Sequence, residues 1–330
     1  MVSFKHSIAK CLIVAIFQEV TFPSITVCNL NRVEASYLKD IGYYGDSKAT
    51  KTIMNEFMFG RNGNLSQEEK DIINSLYPMN KPFQEASRQK CRNLFLLMQY
   101  QGKSLSWNDL PLEDTEYDLG PALDITDYGA CCYFSPFFGF SKMDRSKKDW
   151  QMAFHETSRW KGKAKNGESN GLDILLHAEQ FNYAFYKVHG AGFKISLMDH
   201  RDKAMMQFSS NMIQMGSETQ INVKPSIVYT SKTAIETFSP DERDCYADGE
   251  VNMNYLDHHR GFRYQINNCL IDEGIRDIIW NCRCLPQFFE GKDDPTAAFL
   301  QVCAGDLFLL CHNTECTCVE TMKFKLIFTI

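Results

Sequence analysis

The stretch FPSITVCNLN, residues 22–31, predicts a buried strand near the start of the chain. Its proline blocks helix formation, and the β-branched residues that follow favour an extended backbone. Their alternation places Ile25 and Val27 on one face of the strand. Thr26 and Cys28 share the other face. We therefore expect Cys28 to lie on a strand.

The stretch SQEEKDIINSLYP, residues 66–78, predicts a helix with a capping box of Ser66 and Glu69. Apolar spacing farther along the chain predicts two more helices. The first is expected over residues 85–100, before Gly102. Its apolar stripe consists of Cys91, Leu94, Phe95 and Met98. The second is expected to open at Asn267 or Asn268. Its apolar face consists of Ile275, Ile278 or Ile279, and Cys282.

Strand patterns separate these two helices. GLDILLHAEQF from residue 171, AGFKISLMDH from 191 and TQINVKPSIVYTS from 219 are each bounded by Gly, Asp or Ser. GAGFKI, residues 190–195, imitates the start of a dinucleotide-binding loop, but it lacks the third glycine and a strand follows. A turn that opens a strand is the favoured interpretation. Helices inserted between strands predict an α+β fold.

The composition of the 330 residues is that of a folded protein, with 44% apolar and 23% charged residues. A formal charge of −6 gives no reason to expect a polyanionic partner. Between Lys142 and Lys165, eight basic residues stand against three acidic ones, with aromatic residues interleaved. That segment could stack nucleic-acid bases, but a solvated loop is favoured, and we expect no nucleic-acid partner.

No constellation of catalytic residues emerges from the sequence. HETSRW, from His155, lacks the second histidine of a zinc-protease helix. The polar clusters at residues 199–201 and 258–259 are expected to be solvated surface positions. We therefore expect neither an enzyme nor a bound cofactor.

The cysteines are the most unusual feature of the composition. There are 13, and eight of them fall between Cys245 and Cys318. Such density requires either an oxidising compartment or a metal. The sequon Asn64-Leu65-Ser66 favours the secretory route, and we expect Asn64 to be glycosylated.

Two single-residue spacings, Cys282-x-Cys284 and Cys316-x-Cys318, bear on the choice between disulfides and metal. Structural zinc sites usually use CxxC knuckles, which leave room for a turn around the ion. A CxC pair at a helix end points its thiols in divergent directions, which suits two separate bridges. We favour disulfides, and a zinc-binding module that also uses Cys303 and Cys311 stays open as an alternative.

The longest apolar run, CLIVAIF at residues 11–17, is shorter than the ~18 to 20 residues needed to cross a bilayer. With Lys5 and Lys10 before it, this run could be the core of a signal peptide, although no small-residue cleavage site follows. It could equally be the end of a transmembrane helix whose start is missing. As written, the chain is not expected to span a membrane.

Several motifs, in order along the chain, resemble the degenerin/epithelial sodium channel superfamily, which includes the acid-sensing channels. FPSITVCNLN is similar to the strand after the family's first transmembrane helix, and YGACCYF to its second motif, with a doubled cysteine typical of the insect pickpocket branch. GLDILL, AGFKISL and FSPDERDC resemble palm strands and the start of the thumb. CLIDEGIRDIIWNCRC is similar to the thumb helix, with Glu273 replacing one cysteine, and CTC at residues 316–318 to the returning CxC.

The resemblance implies a channel ectodomain with a β-sheet palm, a helical finger and a disulfide-stapled helical thumb. Its regions are 1–20, a remnant of or replacement for the first transmembrane segment; 21–60, the first palm strand and the lead into the finger; 61–130, the helical finger; 131–240, palm and β-ball strands; 241–318, the cysteine-rich thumb; and 319–330, a divergent C-terminus. The transmembrane helices and the selectivity filter are largely missing, so a truncated form without a pore is expected.

The resemblance also implies a pattern of bridges that stiffen a thumb too small for a core of its own. The expected pairs are Cys28 and Cys91 with the doublet Cys131 and Cys132, Cys269 with Cys318, and Cys282 with Cys303. The family partners of two further cysteines are replaced by Glu273 and Met322. The remaining pairs are therefore expected to be Cys245 with Cys316 and Cys284 with Cys311.

The function that the resemblance implies is that of the extracellular region of a subunit of a trimeric, amiloride-sensitive-type sodium channel in the plasma membrane, gated by a ligand or by force. The expected partners are sodium ions, related subunits in a homo- or heterotrimer, and the membrane, through segments missing here. The alternative is a secreted, disulfide-rich binding protein or a non-conducting regulatory subunit. A channel requires an apolar helix of ~20 residues on each side of this region.

Overall fold

The computed structural model describes a set of segments that contain both helices and strands. The described residues are 23–43, 48–49, 52, 66–68, 71, 87–100, 102–105, 122–134, 170–184, 190–199, 202–206, 209–223, 230–243, 246–247, 250, 253, 255–256, 264–282, 284–286 and 301–302. Their strands are β1 Ser24–Asn29, β2 Phe95–Tyr100, β3 Lys103–Leu105, β4 Ala122–Thr126, β5 Gly129–Phe134, β6 Leu172–Leu176, β7 Gly192–Met198, β8 Asn211–Gln214, β9 Cys284–Leu285 and β10 Gln301–Val302. Their α-helices are α1 Ala35–Asp40, α2 Cys91–Leu94, α3 Lys232–Thr237, α4 Pro240–Arg243 and α5 Ile266–Cys282.

The strand β1 lies at the centre of a five-stranded antiparallel sheet with the order β4-β5-β1-β7-β8. It is paired on both edges and covered on both faces, so residues 24–28 are all buried. Ile25 and Val27 belong to one hydrophobic cluster, and Cys28 belongs to another. The predicted strand and its two faces are therefore confirmed.

A three-stranded antiparallel sheet, in the order β3-β2-β6, shares a core with the face that carries Ile25 and Val27. From β2, Phe95, Met98 and Tyr100 are buried in this core. The β6 residues that pack against it are Leu172, Ile174 and Leu176. The main core of the described residues thus lies between the two sheets.

The helix predicted over residues 85–100 is wrong beyond one turn, because α2 stops and β2 begins at Phe95. A register shift between Phe95 and Leu97 marks a β-bulge in the pairing with β6. The bulge leaves two exposed residues, instead of one, between buried Phe95 and Met98. The strand therefore shows the i, i+3 apolar spacing of a helix. The region expected as a helical finger contains strands as well.

The other local predictions have mixed outcomes. The helix expected from Asn267 or Asn268 is confirmed as α5, and the strands expected from residues 171 and 191 are confirmed as β6 and β7. Gly192 opens β7 as predicted, and a Cβ atom there would collide with the Ile213 carbonyl oxygen. The strand expected from residue 219 is wrong over residues 219–223, which have no regular structure.

The long helix α5 joins the five-stranded sheet at its β4 edge. Ile271, Ile275 and Ile279 on its inner face form a cluster with Ile125 of β4. Two antiparallel sheets, a short parallel pair of β9 and β10, and the helices make the described residues a mixed structure of helices and strands. No helix among these residues is both long and apolar enough to cross a membrane.

Candidate functional site at the junction of the long helix and the sheet

The consecutive cysteines of β5, Cys131 and Cys132, point to opposite faces of the sheet because side chains alternate along a strand. Cys131 is bonded to Cys28, and the two Cα atoms are 4.5 Å apart. The register of β1 and β5 sets Val27 opposite Cys132, which puts Cys28 directly opposite Cys131. This bridge therefore staples neighbouring strands of one sheet.

The second bridge leaves the other face of the sheet and joins Cys132 to Cys91, with Cα atoms 5.5 Å apart. Cys91 is the first residue of α2, directly before β2, so this bridge ties the two sheets together within the main core. Both bridges use the partners that the resemblance implied. On a loop-entropy account, bridges that span 103 and 41 residues contribute about 4.7 and about 3.9 kcal/mol, respectively.

A buried ion pair lies where the chain leaves β7 and passes the β4 edge. The Lys203 ammonium donates to the Asp124 carboxylate and to the Ile125 carbonyl, each at 2.7 Å. The Lys203 side chain is 3% exposed and the Asp124 side chain 13%. Burying a charge is costly unless it is paired and hydrogen-bonded, and both conditions are met here.

The backbone of the same segment is held from two sides. The Lys203 N–H donates to the side-chain oxygen of Asn268, a fully buried residue of α5, at 2.9 Å. The Met206 N–H donates to the Asp127 carboxylate, in the β4–β5 turn, at 2.6 Å. Residues 202–206 therefore connect the helix to the sheet edge through buried polar contacts.

A further buried carboxylate anchors α5 one turn after Asn268. Asp272 accepts hydrogen bonds from the N–H groups of Tyr255 and Leu256, at 2.7 and 2.8 Å. We call the set Asp124, Asp127, Lys203, Asn268 and Asp272 the helix–sheet junction. Through these contacts, the junction couples α5 to the edge of the sheet.

The sequence profile of the family described as "Amiloride-sensitive sodium channel" matches residues 6–326. The chain belongs to this family. It is a family of ion channels that transport sodium, and not one of enzymes. No curated protein sequence matches the chain.

In this sodium-channel-family chain, the other cysteines belong to α5 or lie nearer the C-terminus, apart from Cys11 and Cys245. Cys269 of α5 is half-buried and is not bonded to another described cysteine. Burial raises the pKa of its thiol, and the Glu273 and Asp272 carboxylates add to the rise. The structure describes the backbone, and not the side chains, of Cys282 and Cys284. Outside the described residues lie Cys245, Cys303, Cys311, Cys316, Cys318 and Asn64.

Other residues that the sequence singled out are also outside the part of the chain that the structure describes. The basic segment between Lys142 and Lys165 and the histidines at 155, 200, 258 and 259 lie outside the described residues. The chemistry considered for them therefore stays a prediction.

The segment that resembles the start of the thumb carries a local network of polar contacts. Ser239 and Glu242 form a capping box at α4, in which the Ser239 N–H donates to Glu242 at 2.9 Å. Arg243, with a side chain only 4% exposed, donates to both carboxylate oxygens of Glu250 at 2.6 and 2.7 Å. The Ala247 N–H and then Arg243 lower the pKa of Glu250, so this carboxylate stays charged.

The helix–sheet junction is not evident from the sequence, although α5 carries a signal for part of it. Asn268 and Asp272 fall on the same helical face as Ile275, where a core-facing helix should be apolar. Polar residues at core positions are rarely buried without a specific partner. That signal points to α5, but nothing local in the sequence identifies Lys203 or Asp124 as its counterpart.

Proposed function

We propose that this chain supplies the extracellular region of a subunit of a trimeric, amiloride-sensitive-type sodium channel, in the insect pickpocket-like branch of the superfamily. The family match and the order of the motifs from Phe22 to Cys318 support the proposal. The five-stranded sheet serves as the palm and α5 as the main thumb helix. Sodium ions and two further subunits, identical or related, are the partners at the plasma membrane.

The helix–sheet junction is the observation that carries the proposed gating role. Lys203 binds the β4 edge through its side chain and α5 through its backbone. A movement of α5 must therefore move the sheet edge or leave buried polar groups without partners, which is costly. A ligand or a force that displaces α5 shifts a closed–open equilibrium by its differential interaction with the two states.

Location and assembly test this proposal. The complete reading frame, obtained from transcript, is expressed in insect cells. One sample of intact cells is labelled with a membrane-impermeant biotin reagent, and a second is treated with a membrane-impermeant cross-linker. We expect surface labelling of this region in the first sample and a cross-linked species of three subunits in the second. Recovery of the protein from the medium as a monomer contradicts the channel proposal and supports a secreted binding protein. Labelling that requires permeabilised cells contradicts the extracellular assignment.

A further inference from the structure

The bridge between the two sheets lies beside a cation. The Arg88 guanidinium donates from Nη1 to the sulfur of Cys91 at 3.3 Å and lies 3.8 Å from the sulfur of Cys132. The same Nη1 also donates to the Gln89 carbonyl at 2.7 Å, which holds the guanidinium in place. Lys90 lies near the Glu34 carboxylate, where its charge partly offsets the rise in the pKa of Glu34 that burial causes, so Arg88 is the cation that the contacts place against this disulfide.

The bridge within the sheet has different surroundings. The hydroxyl of Thr126 is the polar group 3.3 Å from the Cys131 sulfur. Lys194 is the strand neighbour of Cys28, but its ammonium lies over the Tyr128 ring, 4.5 Å from the centroid. Cys28 and Cys131 are 1% and 2% exposed. In the bridge between the sheets, Cys132 is 2% exposed and Cys91 is 8% exposed beside a half-buried arginine.

A cation beside a sulfur favours the thiolate over the thiol. A stabilised thiolate is a better leaving group in thiol–disulfide exchange, and a stabilised reduced form makes a disulfide easier to reduce. Arg88 is close enough to both sulfurs to stabilise whichever one leaves. Around the Cys28–Cys131 bridge, the cations Arg32 and Lys194 lie over the ring of Tyr128, which shares a cluster with both cysteines.

We propose that the Cys91–Cys132 bridge is a thiol-exchange site, which small thiols such as glutathione reduce before the Cys28–Cys131 bridge. The glutathione thiolate attacks the sulfur of Cys91, the more exposed of the two residues, the S–S bond breaks, and Cys132 leaves as a thiolate beside Arg88. A second glutathione thiolate attacks the mixed disulfide and releases Cys91 as a thiolate. The bridge gains two electrons, two glutathione molecules become one molecule of oxidised glutathione, and their two protons go to solvent or to the cysteines.

The exchange has a selective structural consequence. It removes the covalent tie between the three-stranded and five-stranded sheets, and it leaves the staple within the five-stranded sheet in place. The two sheets then stay together through their shared apolar core and through the hydrogen bonds of Asn29 with Gln89, Ala178 and Tyr183. This inference concerns the chain itself and does not rest on the proposed channel function.

The test is a redox titration of the purified, oxidised 330-residue chain in glutathione buffers. Thiols are blocked with N-ethylmaleimide at equilibrium, and peptide mapping quantifies each bridge. We expect the equilibrium constant for reduction of Cys91–Cys132 to exceed that of Cys28–Cys131 by about tenfold. This factor corresponds to stabilisation of the thiolate by about 1.4 kcal/mol. Simultaneous reduction, or earlier reduction of Cys28–Cys131, overturns the proposal without any variant.

Variants then isolate the contribution of the cation. Arg88→Gln should lower the equilibrium constant for Cys91–Cys132 by about tenfold, and Arg88→Lys should restore most of it. The matched control is Arg92→Gln, which removes an exposed charge one residue after Cys91 and should change little. If Arg88→Gln and Arg92→Gln behave alike, Arg88 is not the cause and the proposal fails.

Discussion

Replacing Lys203 with methionine removes the charge at the helix–sheet junction and keeps the length of the side chain. In the variant, the Asp124 carboxylate and the Ile125 carbonyl both lose a donor at 2.7 Å. Because the Lys203 and Asp124 side chains are only 3% and 13% exposed, little water can replace that donor. Breaking a buried ion pair from one side costs ~3 to 5 kcal/mol, and we expect a loss of unfolding free energy in this range.

Two further variants make this prediction specific. Adding Asp124→Leu to Lys203→Met removes both charges, and it should recover most of the loss, because apolar replacement of a buried pair is often neutral. The matched control is Lys232→Met, which breaks an exposed helical pair with Glu236 at 3.8 Å. That pair is screened by solvent, so its loss should have almost no effect.

Urea denaturation of the oxidised chain measures the change in unfolding free energy, and hydrogen exchange localises it. Amides of α5 should lose protection in Lys203→Met before those of β1. The reasoning is refuted if Lys203→Met is as stable as Lys232→Met. It is refuted as well if the double variant is no more stable than Lys203→Met alone.

Three other predictions concern pH, glycosylation and the thumb bridges. Burial and the neighbouring Glu179 carboxyl raise the pKa of Glu34 from 4.5 to about 7, so the folded chain holds this proton more tightly than the unfolded chain. Its contribution to stability should therefore be complete below pH 4.5 and be lost as the pH rises to about 7, and Glu34→Gln should flatten the measured slope in this window. Glycosidase should shift the gel migration of the chain from insect cells, and the shift should be absent in Asn64→Gln; no shift in the parent chain contradicts the luminal route. Peptide mapping without reductant should recover two linked pairs, Cys269 with Cys318 and Cys282 with Cys303. Free thiols in these peptides together with one bound zinc ion would overturn the disulfide assignment.

Elements with a regular local period could be predicted from the sequence. The alternation around Cys28 gave the correct faces of β1, and the helical period from Asn268 gave α5. The same alternation rule, applied to the doublet, shows why Cys131 and Cys132 need partners on opposite faces. The prediction of a helix at β2 failed because the strand has a bulge. The bulge changes the spacing of its buried residues from two positions to three, which resembles the spacing of a helix.

The junction itself was beyond prediction because its contacts are distant in sequence. Lys203 lies 79 residues from Asp124 and 65 residues from Asn268. A lysine between Asp202 and Ala204 has no periodic or motif signal that distinguishes a buried ion pair from a solvated turn. Only the fold, which carries the chain from β7 past the β4 edge, brings these residues together.

Voltage clamp tests the central claim most directly. Cells express the complete reading frame, alone or together with other subunits of the family, and sodium current is recorded with and without amiloride. The account predicts an amiloride-blocked sodium current whose open fraction changes in Asn268→Ala, which removes the acceptor for the Lys203 N–H, and not in Lys232→Met. Absence of such a current in every combination, with the protein present at the cell surface, would contradict the account.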